Sequence, residues 1–291
     1  MTRPSEDAAK PQPRVLRIMT FNILHVAVRN FSPSWEIRRP AVAETIRTAR
    51  PDVACLQEVS SRQLGDLALD LPEYEVLPGV ASGGTPLPPW AAGFVPLVRF
   101  VLGDYFDKGE LCPILLRKGS AVCVEHGIFW LCPYAGPRTP HVVNWARIEV
   151  PSGFAWIYNT HLGLLPWMAG RMAGELLTAM NRDWNGEPQI LVGDFNSPPA
   201  GPLLRALTAG DDTNPATLHD AWLEARLRQG TGQTFHWGFG LPGPRIDYIL
   251  VRPRLPVPTA MTAGAATGGV FPSDHFALIA DLDLTHLGGG I

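Results

Sequence analysis

The segment ILVGDFNSPP, residues 190–199, joins a strongly apolar run to an acid and an amide two positions apart. In a β-strand, residues two apart point to the same side, so Asp194 and Asn196 are expected to project together from the end of this strand. Gly193 allows another group to approach the backbone closely. Because Asp and Asn also end strands by capping turns, the segment alone fits a turn as well as the edge of an active site.

The same arrangement recurs along the chain, where polar residues follow or interrupt other apolar runs. Asn159 and His161 share one face in IYNTHL. The remaining positions are Asn22 in IMTFN, Glu58 in ACLQE, Asp247 in RIDYILV, and Asp274 with His275 in PSDHFAL. Burying a polar group without a partner costs roughly 2–7 kcal/mol. This repetition favours one shared site over a set of unrelated turns.

A cluster of carboxylates predicts a bound cation. Carboxylates held together raise one another's pKa unless a cation or a protonated histidine lies among them. Oxygen ligands from Asp, Glu and Asn suit Mg²⁺ or Mn²⁺ rather than zinc. We therefore expect metal-assisted chemistry.

Composition limits the classes of function. With 291 residues, of which 46% are hydrophobic, the chain is long enough for one large domain. The net charge is −3 and the basic residues, nearly all Arg, form no runs, which disfavours a dedicated, sequence-blind nucleic-acid binder. The four cysteines include no C-x-x-C pair, so core thiols are expected rather than a zinc site or disulfides.

The sequence predicts a disordered leader over residues 1–13, one domain over 14–285 and a flexible tail over 286–291. The leader is polar and proline-rich, without the apolar stretch of a secretory signal. The longest apolar run, WAAGFVPLVRFVLG, contains Pro96 and Arg99 and is too short to cross a bilayer. A soluble and, by default, cytoplasmic protein is therefore expected.

Periodicity and turn residues predict strands that alternate with helices in part of the chain. Helices are predicted in WEIRRPAVAETIRTAR, SSRQLGDLALDL, PWMAGRMAGELLTAMNRDW, the residues after SPPAG, and LHDAWLEARLRQ. Strands are predicted in VLRIMTFNI, DVACLQEV, residues 74–77, CPILLRK, AVCVEHGIFWL, VVNWARIEV, GFAWIYNTHL, PQILVGDFN, RIDYILV and HFALIADLDL. This order suggests two sheets packed face to face with helices outside.

Six segments, TFN, QE, THL, GDFN, RIDYI and SDH, resemble in this order the signature of the endonuclease/exonuclease/phosphatase superfamily. The resemblance runs from about Val15 to Leu284. GIFWL, TFHWGFG and ELCPILLRK further resemble a bacterial branch of unassigned substrate. The resemblance implies an α/β fold, a four-layer α/β sandwich of two facing mixed β-sheets flanked by helices, with the site at one end of the sheets.

The resemblance also implies a divalent-metal-dependent phosphoester hydrolase. Glu58 matches the principal metal-binding carboxylate, with Asn22 beside it and Asp274 supporting the ion directly or through water. Asp194 matches the residue that aligns or deprotonates the attacking water, and Asn196 would hold that water or the phosphate.

Two histidines match phosphate-contacting positions. His275 would contact the scissile phosphate, and Asp247 would orient its ring. His161 would contact a further phosphate oxygen, with Asn159 beside it in the predicted catalytic set. For Asn159 and Asn22, a hydrogen bond to backbone at a strand end is the plainer alternative. Glu110, in KGELCPI, fits either the site or a loop flanking it.

The substrate stays open, because loops around the site decide it. A nucleic acid, a phospholipid or sphingomyelin head group, and a small phosphorylated metabolite all fit, and no protein partner is predicted. Residues 90–106, if exposed, would allow peripheral membrane contact. Two non-enzymatic alternatives are a catalytically silent binding module and a structural Ca²⁺ protein. The complete set of predicted acids and the final histidine argue against the first. The dispersed oxygen ligands and the histidines argue against the second.

Overall fold

The computed structural model describes residues 15–26, 32–80, 109–132, 141–163, 166–182, 184–210 and 214–285. The predicted leader and tail and the apolar residues 90–106 lie outside these ranges. Among the described helices, none combines the length and the hydrophobicity that a bilayer crossing requires.

Thirteen strands of the described residues form two mixed sheets. The first sheet has the order β10-β12-β13-β1-β2-β4-β3, with β1 Val15–Asn22, β2 Val53–Gln57, β3 Tyr74–Leu77, β4 Ile114–Arg117, β10 Ala225–Gln229, β12 Val257–Ala263 and β13 Ala277–Asp283. The second has the order β5-β6-β7-β8-β11-β9, with β5 Val122–Leu131, β6 His141–Val150, β7 Gly153–His161, β8 Gln189–Asp194, β9 His219–Asp220 and β11 Asp247–Arg252.

Helices cover the outer face of each sheet. They are α1 Trp35–Ala49, α2 Ser61–Asp70, α3 Ala169–Arg182 and α4 Pro202–Leu207, with a 3₁₀ turn at Pro166–Met168, whereas the single turn α5 Ala221–Glu224 packs into the apolar cluster between the sheets. One apolar cluster fills the space between the sheets, a second joins α1 and α2 to the first sheet, and a third joins α3 and α4 to the second sheet. The predicted four-layer α/β sandwich is therefore confirmed.

The inward-facing rows of the central strands are mainly apolar and become polar at one shared edge of the sandwich. On β8 the row is Ile190, Val192 and Asp194, of which the first two lie in the inter-sheet core. The corresponding polar ends of neighbouring rows are Asn22 on β1, Gln57 on β2, Asn159 and His161 on β7, and Asp247 on β11. Because Asp194 pairs with both His161 and Asp247 in register, these ends gather at one edge of the sandwich.

Two local predictions were wrong. LHDAWLEARLRQ does not form one helix, because its last residues pair in parallel with β12 and leave only the single turn α5. The strand β12 itself was missed, since the sequence VPTAMTA contains Pro258 and small residues that weaken the apolar signal. The other predicted strands and helices are observed.

Gly193 permits the close approach of β7 and β8 that the sequence suggested. Its φ is +146°, and a Cβ atom there would lie 1.8 Å from the backbone oxygen of Thr160. The clash involves backbone, so no side-chain rotation relieves it. Thus the strands that carry His161 and Asp194 are held together at a position that only glycine fits.

We expect Gly193→Ala to lower the free energy of unfolding by about 3 kcal/mol or more, because the new methyl group separates two core strands. Urea unfolding of the purified variant measures this. Gly65→Ala is the matched control: a Cβ at this α2 position meets no atom within 4 Å, and alanine in a helix gains about 0.5–1 kcal/mol over glycine. Equal effects of the two changes would contradict the packing argument.

Candidate active site

Asp194 lies at the centre of the polar edge, with 1% of its surface exposed. Asn22 Nδ2 donates to Asp194 Oδ2 over 3.0 Å, and the backbone N–H of Asn196 donates to Oδ1 over 2.8 Å. Burial and the neighbouring Asp247 raise the pKa of Asp194, while His161 and His275 oppose that rise. Both carboxylate oxygens are therefore held in a site that makes the group more basic than an ordinary Asp.

His275 forms a buried pair with Asp247. The ring Nδ1 lies 2.9 Å from Asp247 Oδ2, and Nε2 lies 3.7 Å from Asp194 Oδ2. Burial lowers the pKa of His275, but the carboxylates of Asp247 and Asp194 outweigh it and raise the pKa to about 10. The carboxylate on Nδ1 fixes the ring so that Nε2 points toward Asp194.

His161 forms a second pair of the same kind. Its Nδ1 lies 2.7 Å from Glu110 Oε1, and its Nε2 lies 3.6 Å from Asp194 Oδ2. Burial lowers the pKa of His161, but Glu110, Asp194 and Glu58 raise it well above its ordinary value. Two carboxylate-bound imidazoles therefore aim at the same oxygen of Asp194.

Asn196 lies beside the ring of His161. Its Nδ2 is 2.8 Å from His161 Nε2 and donates to the backbone oxygen of Leu162 over 2.9 Å. Because this amide is itself a donor, a neutral His161 ring carries its proton on Nδ1, facing Glu110. A second proton on Nε2 needs a different acceptor, and an anionic oxygen bound in the site would supply one.

Glu58 lies next to Asp194 and shares a hydrogen-bond donor with it. Asn22 Nδ2 donates to Glu58 Oε1 over 3.0 Å, and the backbone N–H of His25 donates to Oε2 over 3.1 Å. Burial raises the pKa of Glu58, and Glu110 and Asp274 raise it further against the lowering effect of His161. Asp274 is thus within electrostatic reach of Glu58, as the sequence predicted for a shared cation.

The amide of Asn22 faces the carboxylates with its nitrogen. Its Oδ1 accepts a hydrogen bond from the backbone N–H of Leu24 over 3.0 Å. The opposite amide orientation would place this oxygen next to the carboxylate oxygens of Glu58 and Asp194, which would repel it. Asn22 therefore holds the two carboxylates in place. The place of Asn22 beside Glu58 in the predicted metal set stays a prediction.

Asn159 was predicted beside His161 in the catalytic set, and its side chain is instead engaged between the sheets. Its Nδ2 donates to the backbone oxygens of Leu56 and Pro113 over 3.0 and 2.9 Å, and its Oδ1 accepts from Gln57 Nε2 over 2.7 Å. The side chain is fully buried. Asn159 thus ties β7 to β2 and positions the site without facing a substrate.

Glu58 and Asn196 occupy strained backbone positions. Their φ angles are +57° and +46°, in the left-handed region that few non-glycine residues adopt. Strain of this kind is retained where the surrounding structure imposes it, and it concentrates at functional sites. Both residues belong to the predicted set.

Arg38 of α1 is a buried cation that joins the loops carrying the acidic residues. Its guanidinium donates to the backbone oxygens of Pro33, Ile23, Leu24 and Pro272 over 2.7–3.0 Å. Burial lowers its pKa to about 10, against the raising effects of Asp274 and Glu58. The loop after β1 is thereby fastened to the segment that precedes Asp274.

The acidic residues fit a divalent cation by their chemistry. Glu58, Glu110 and His161 have ligand atoms within 4.8 Å of one another, as do Asp194, Asp247 and His275. The buried Oδ1 of Asp247 has no hydrogen-bond partner among the described residues. Carboxylate oxygens in both clusters are ligands that suit a hard divalent cation.

The sequence model described as the endonuclease/exonuclease/phosphatase family matches residues 19–275, and this range contains every residue of the candidate site. The chain belongs to the endonuclease/exonuclease/phosphatase family. Phosphoester hydrolysis is the reaction class of this family. The predicted family is therefore confirmed, and a search of curated proteins gave no match.

Solved structures share the fold at low identity. An endonuclease/exonuclease/phosphatase protein of Bacteroides vulgatus aligns with a TM-score of 0.73 and 23% identity, over 92% of this chain and 98% of that one. A mannosyl-6-phosphatase of Bacteroides thetaiotaomicron gives 0.70 and 22%, over 92% and 99%. The human Nocturnin catalytic domain with bound sulfate gives 0.65 and 20%, over 93% and 94%.

Sequence reasoning left Glu110 undecided and did not find Arg38. The structure brings Glu110 to His161, which its position in a loop between predicted strands could not reveal. The sequence alone places Arg38 within a predicted helix. Its signal was its place on the apolar face of α1, where an unpaired arginine requires buried acceptors.

We expect Arg38→Met to lower the free energy of unfolding by about 3 kcal/mol, because buried backbone oxygens lose their donors. Urea unfolding measures the change. Arg39→Met is the control, since Arg39 pairs with Asp66 and Asp70 at a partly exposed position where ion pairs contribute about 1 kcal/mol or less. If the Arg38 variant were as stable as the Arg39 variant, the hydrogen bonds of Arg38 would not hold the two loops together.

The raised pKa of His275 makes stability depend on pH. A folded-state pKa near 10, against about 6.5 in the unfolded chain, gives a stabilisation that is complete below pH 6.5 and is lost as the pH rises to 10. In EDTA, the difference in free energy of unfolding between wild type and the less stable Asp247→Asn variant should therefore be larger at pH 6 than at pH 10. Urea unfolding at both values tests this, and an excess that grows with pH would be inconsistent with the pair.

Proposed function

We propose that the protein is a divalent-metal-dependent phosphoester hydrolase in which water attacks a bound phosphate. The observation that carries the proposal is the convergence of two carboxylate-bound imidazoles on Asp194, beside Glu58. Hydrolysis of a phosphoester needs an aligned nucleophile and stabilisation of the charge on the phosphoryl oxygens. This set of residues offers both.

Asp194 is proposed to orient and deprotonate the attacking water. Its pKa is raised by burial and by Asp247, so it is a stronger base than an exposed carboxylate. Asn22 and the backbone of Asn196 hold its two oxygens, which limits its rotation. An amide at this position would keep the shape and remove the proton acceptor.

His275 and His161 are proposed to donate N–H groups to phosphate oxygens. Each ring is held at Nδ1 by a carboxylate, and each Nε2 faces Asp194. Asp247 and Glu110 raise the pKa of their histidines and so favour protonated rings. Two fixed cationic donors stabilise negative charge without having to reorient during the reaction.

Glu58 and Asp274 are proposed to hold Mg²⁺ or Mn²⁺, with Asn22 orienting Glu58. When bound, the cation supplies Lewis-acid stabilisation of the charge that develops on the phosphate. Without it, Glu58 has a raised pKa because burial and the neighbouring carboxylates Glu110 and Asp274 disfavour its ionised form. A cation would relieve that repulsion.

The alternative of a catalytically silent binding module predicts the loss of a central acid or histidine. The predicted acids and both histidines are present and converge, which supports an enzyme. The prediction of a lipid substrate depended on residues 90–106, which lie outside the described ranges. The two phosphate-directed imidazoles fit a phosphate from any of the three substrate sources, so the proposal is limited to the phosphoester.

The experiment measures hydrolysis of mono- and bis-p-nitrophenyl phosphate, DNA, RNA and sphingomyelin with Mg²⁺, Mn²⁺ or EDTA. Metal-dependent turnover that EDTA abolishes is expected for at least one substrate. Asp194→Asn should lower kcat by about 10²–10⁴-fold, while its melting temperature stays near that of wild type. Turnover in EDTA, or an Asp194→Asn variant with most of its activity, would contradict the proposal.

Calorimetric titration with Mn²⁺ tests the cation site separately from activity. Wild type should bind Mn²⁺, and Glu58→Gln should bind it at least about tenfold more weakly, because one carboxylate ligand is lost. Glu75→Gln on β3 is the control, since Glu75 lies at an exposed strand position. Equal affinities of wild type and Glu58→Gln would place the cation elsewhere.

A further inference from the structure

An exposed aromatic segment, residues 235–241, borders the active site. Trp237 is 57% exposed and Phe239 is 51% exposed, whereas Trp156 is buried in the sheet layers. Large apolar side chains on a folded surface mark binding surfaces when they lie together. None of the proposed catalytic steps uses this segment.

The backbone of Trp237 is in the left-handed region, with φ of +60°. Glycine adopts this conformation freely, while for a bulky residue it is costly. The tryptophan side chain is mostly exposed, so burial recovers little of that cost. A strained, exposed aromatic residue at the border of an active site indicates a role in binding.

Trp237 is coupled to the catalytic histidine through Phe235. The ring centroids of Phe235 and Trp237 are 4.6 Å apart, and those of Phe235 and His275 are 5.0 Å apart with edge contact. The backbone N–H of His236 donates to the oxygen of Asp274 over 2.9 Å, and that of Phe276 donates to Thr234 over 2.7 Å. The aromatic segment is thus anchored to the strand end that carries His275.

We propose that Trp237 forms a stacking subsite for a planar aromatic group of the substrate. The phosphate of the same phosphoester would bind at His275. The proposal rests on the proposed function. Phe235 contacts both Trp237 and His275, so the stacking surface lies about one ring's width from the histidine, which matches a ligand whose aromatic group and phosphate are joined by a small linker such as a sugar. A nucleobase and a simple aryl ester share this chemistry.

The charge of the chain favours a small aromatic phosphoester over a long polynucleotide. The net charge is −3 and the sequence has no basic run that would follow a phosphate backbone. Stacking on an aromatic side chain tolerates any base and contributes about 1–3 kcal/mol. One exposed tryptophan therefore provides a stacking surface for a single aromatic group of a ligand.

The test compares adenosine 5′-monophosphate with ribose 5-phosphate, in which a hydroxyl group replaces the base at C1. Calorimetry in Mn²⁺ with Asp194→Asn as the parent measures binding without turnover. The base should increase affinity about tenfold or more, and adding Trp237→Ala should remove that increase while leaving ribose 5-phosphate unchanged. Trp237→Phe should retain part of it, and phenyl phosphate should show the same dependence on Trp237.

Phe154→Ala is the control, because Phe154 is a partly exposed aromatic residue at the start of β7, whereas His161 ends that strand. It should leave the preference for the base unchanged. Trp237→Gly should lose the preference and melt at or above the temperature of the parent, since glycine relieves the positive φ. A tryptophan with only a structural role would instead lower the melting temperature.

Three results would overturn the subsite: equal affinity of the parent for both compounds, equal loss of both in Trp237→Ala, or binding of neither compound. Failure of the hydrolase proposal is a separate outcome. It would be seen as absent metal-dependent turnover by wild type across the substrate panel, while the calorimetric preference for the base persisted.

Discussion

The main constraint on the structure is the concentration of carboxylates at one end of the inter-sheet core, because other groups must offset their negative charge. Glu110 and Asp274 raise the pKa of Glu58, Asp247 raises that of Asp194, and burial raises the pKa of both Glu58 and Asp194. Two imidazoles, the Asn22 amide and the buried cation Arg38 offset this repulsion. A divalent ion would supply further positive charge, so the stability of the site and its proposed catalysis depend on the same electrostatic balance.

The fold creates this concentration by a simple periodicity. Inward-facing residues on the central strands are apolar until the last positions, where the row on β8 changes from Val192 to Asp194. Gly193 allows β7 to come close, which sets His161 beside Asp194 in register. The sandwich therefore fixes the directions of the proposed catalytic side chains, which come from distant parts of the sequence.

Much of this could be predicted because alternation and strand ends are local properties. ILVGDFN and IYNTHL show which residues share a face, and the order of the motifs indicates the family. Long-range hydrogen bonding could not be predicted in this way. Asn159 shares its face with His161, yet its amide binds β2 and the segment before β4. Glu110 and Arg38 gain their roles only from partners brought together by the tertiary structure, and the exposure of Trp237 is equally invisible in sequence.

The most direct measurement is a crystal structure of the protein soaked with Mn²⁺ and inorganic phosphate, with the metal located by its anomalous scattering. The account predicts one manganese peak in contact with the carboxylate of Glu58 and a phosphate bound by Nε2 of both His161 and His275. A manganese ion away from Glu58, or a phosphate that contacts neither imidazole, would contradict it.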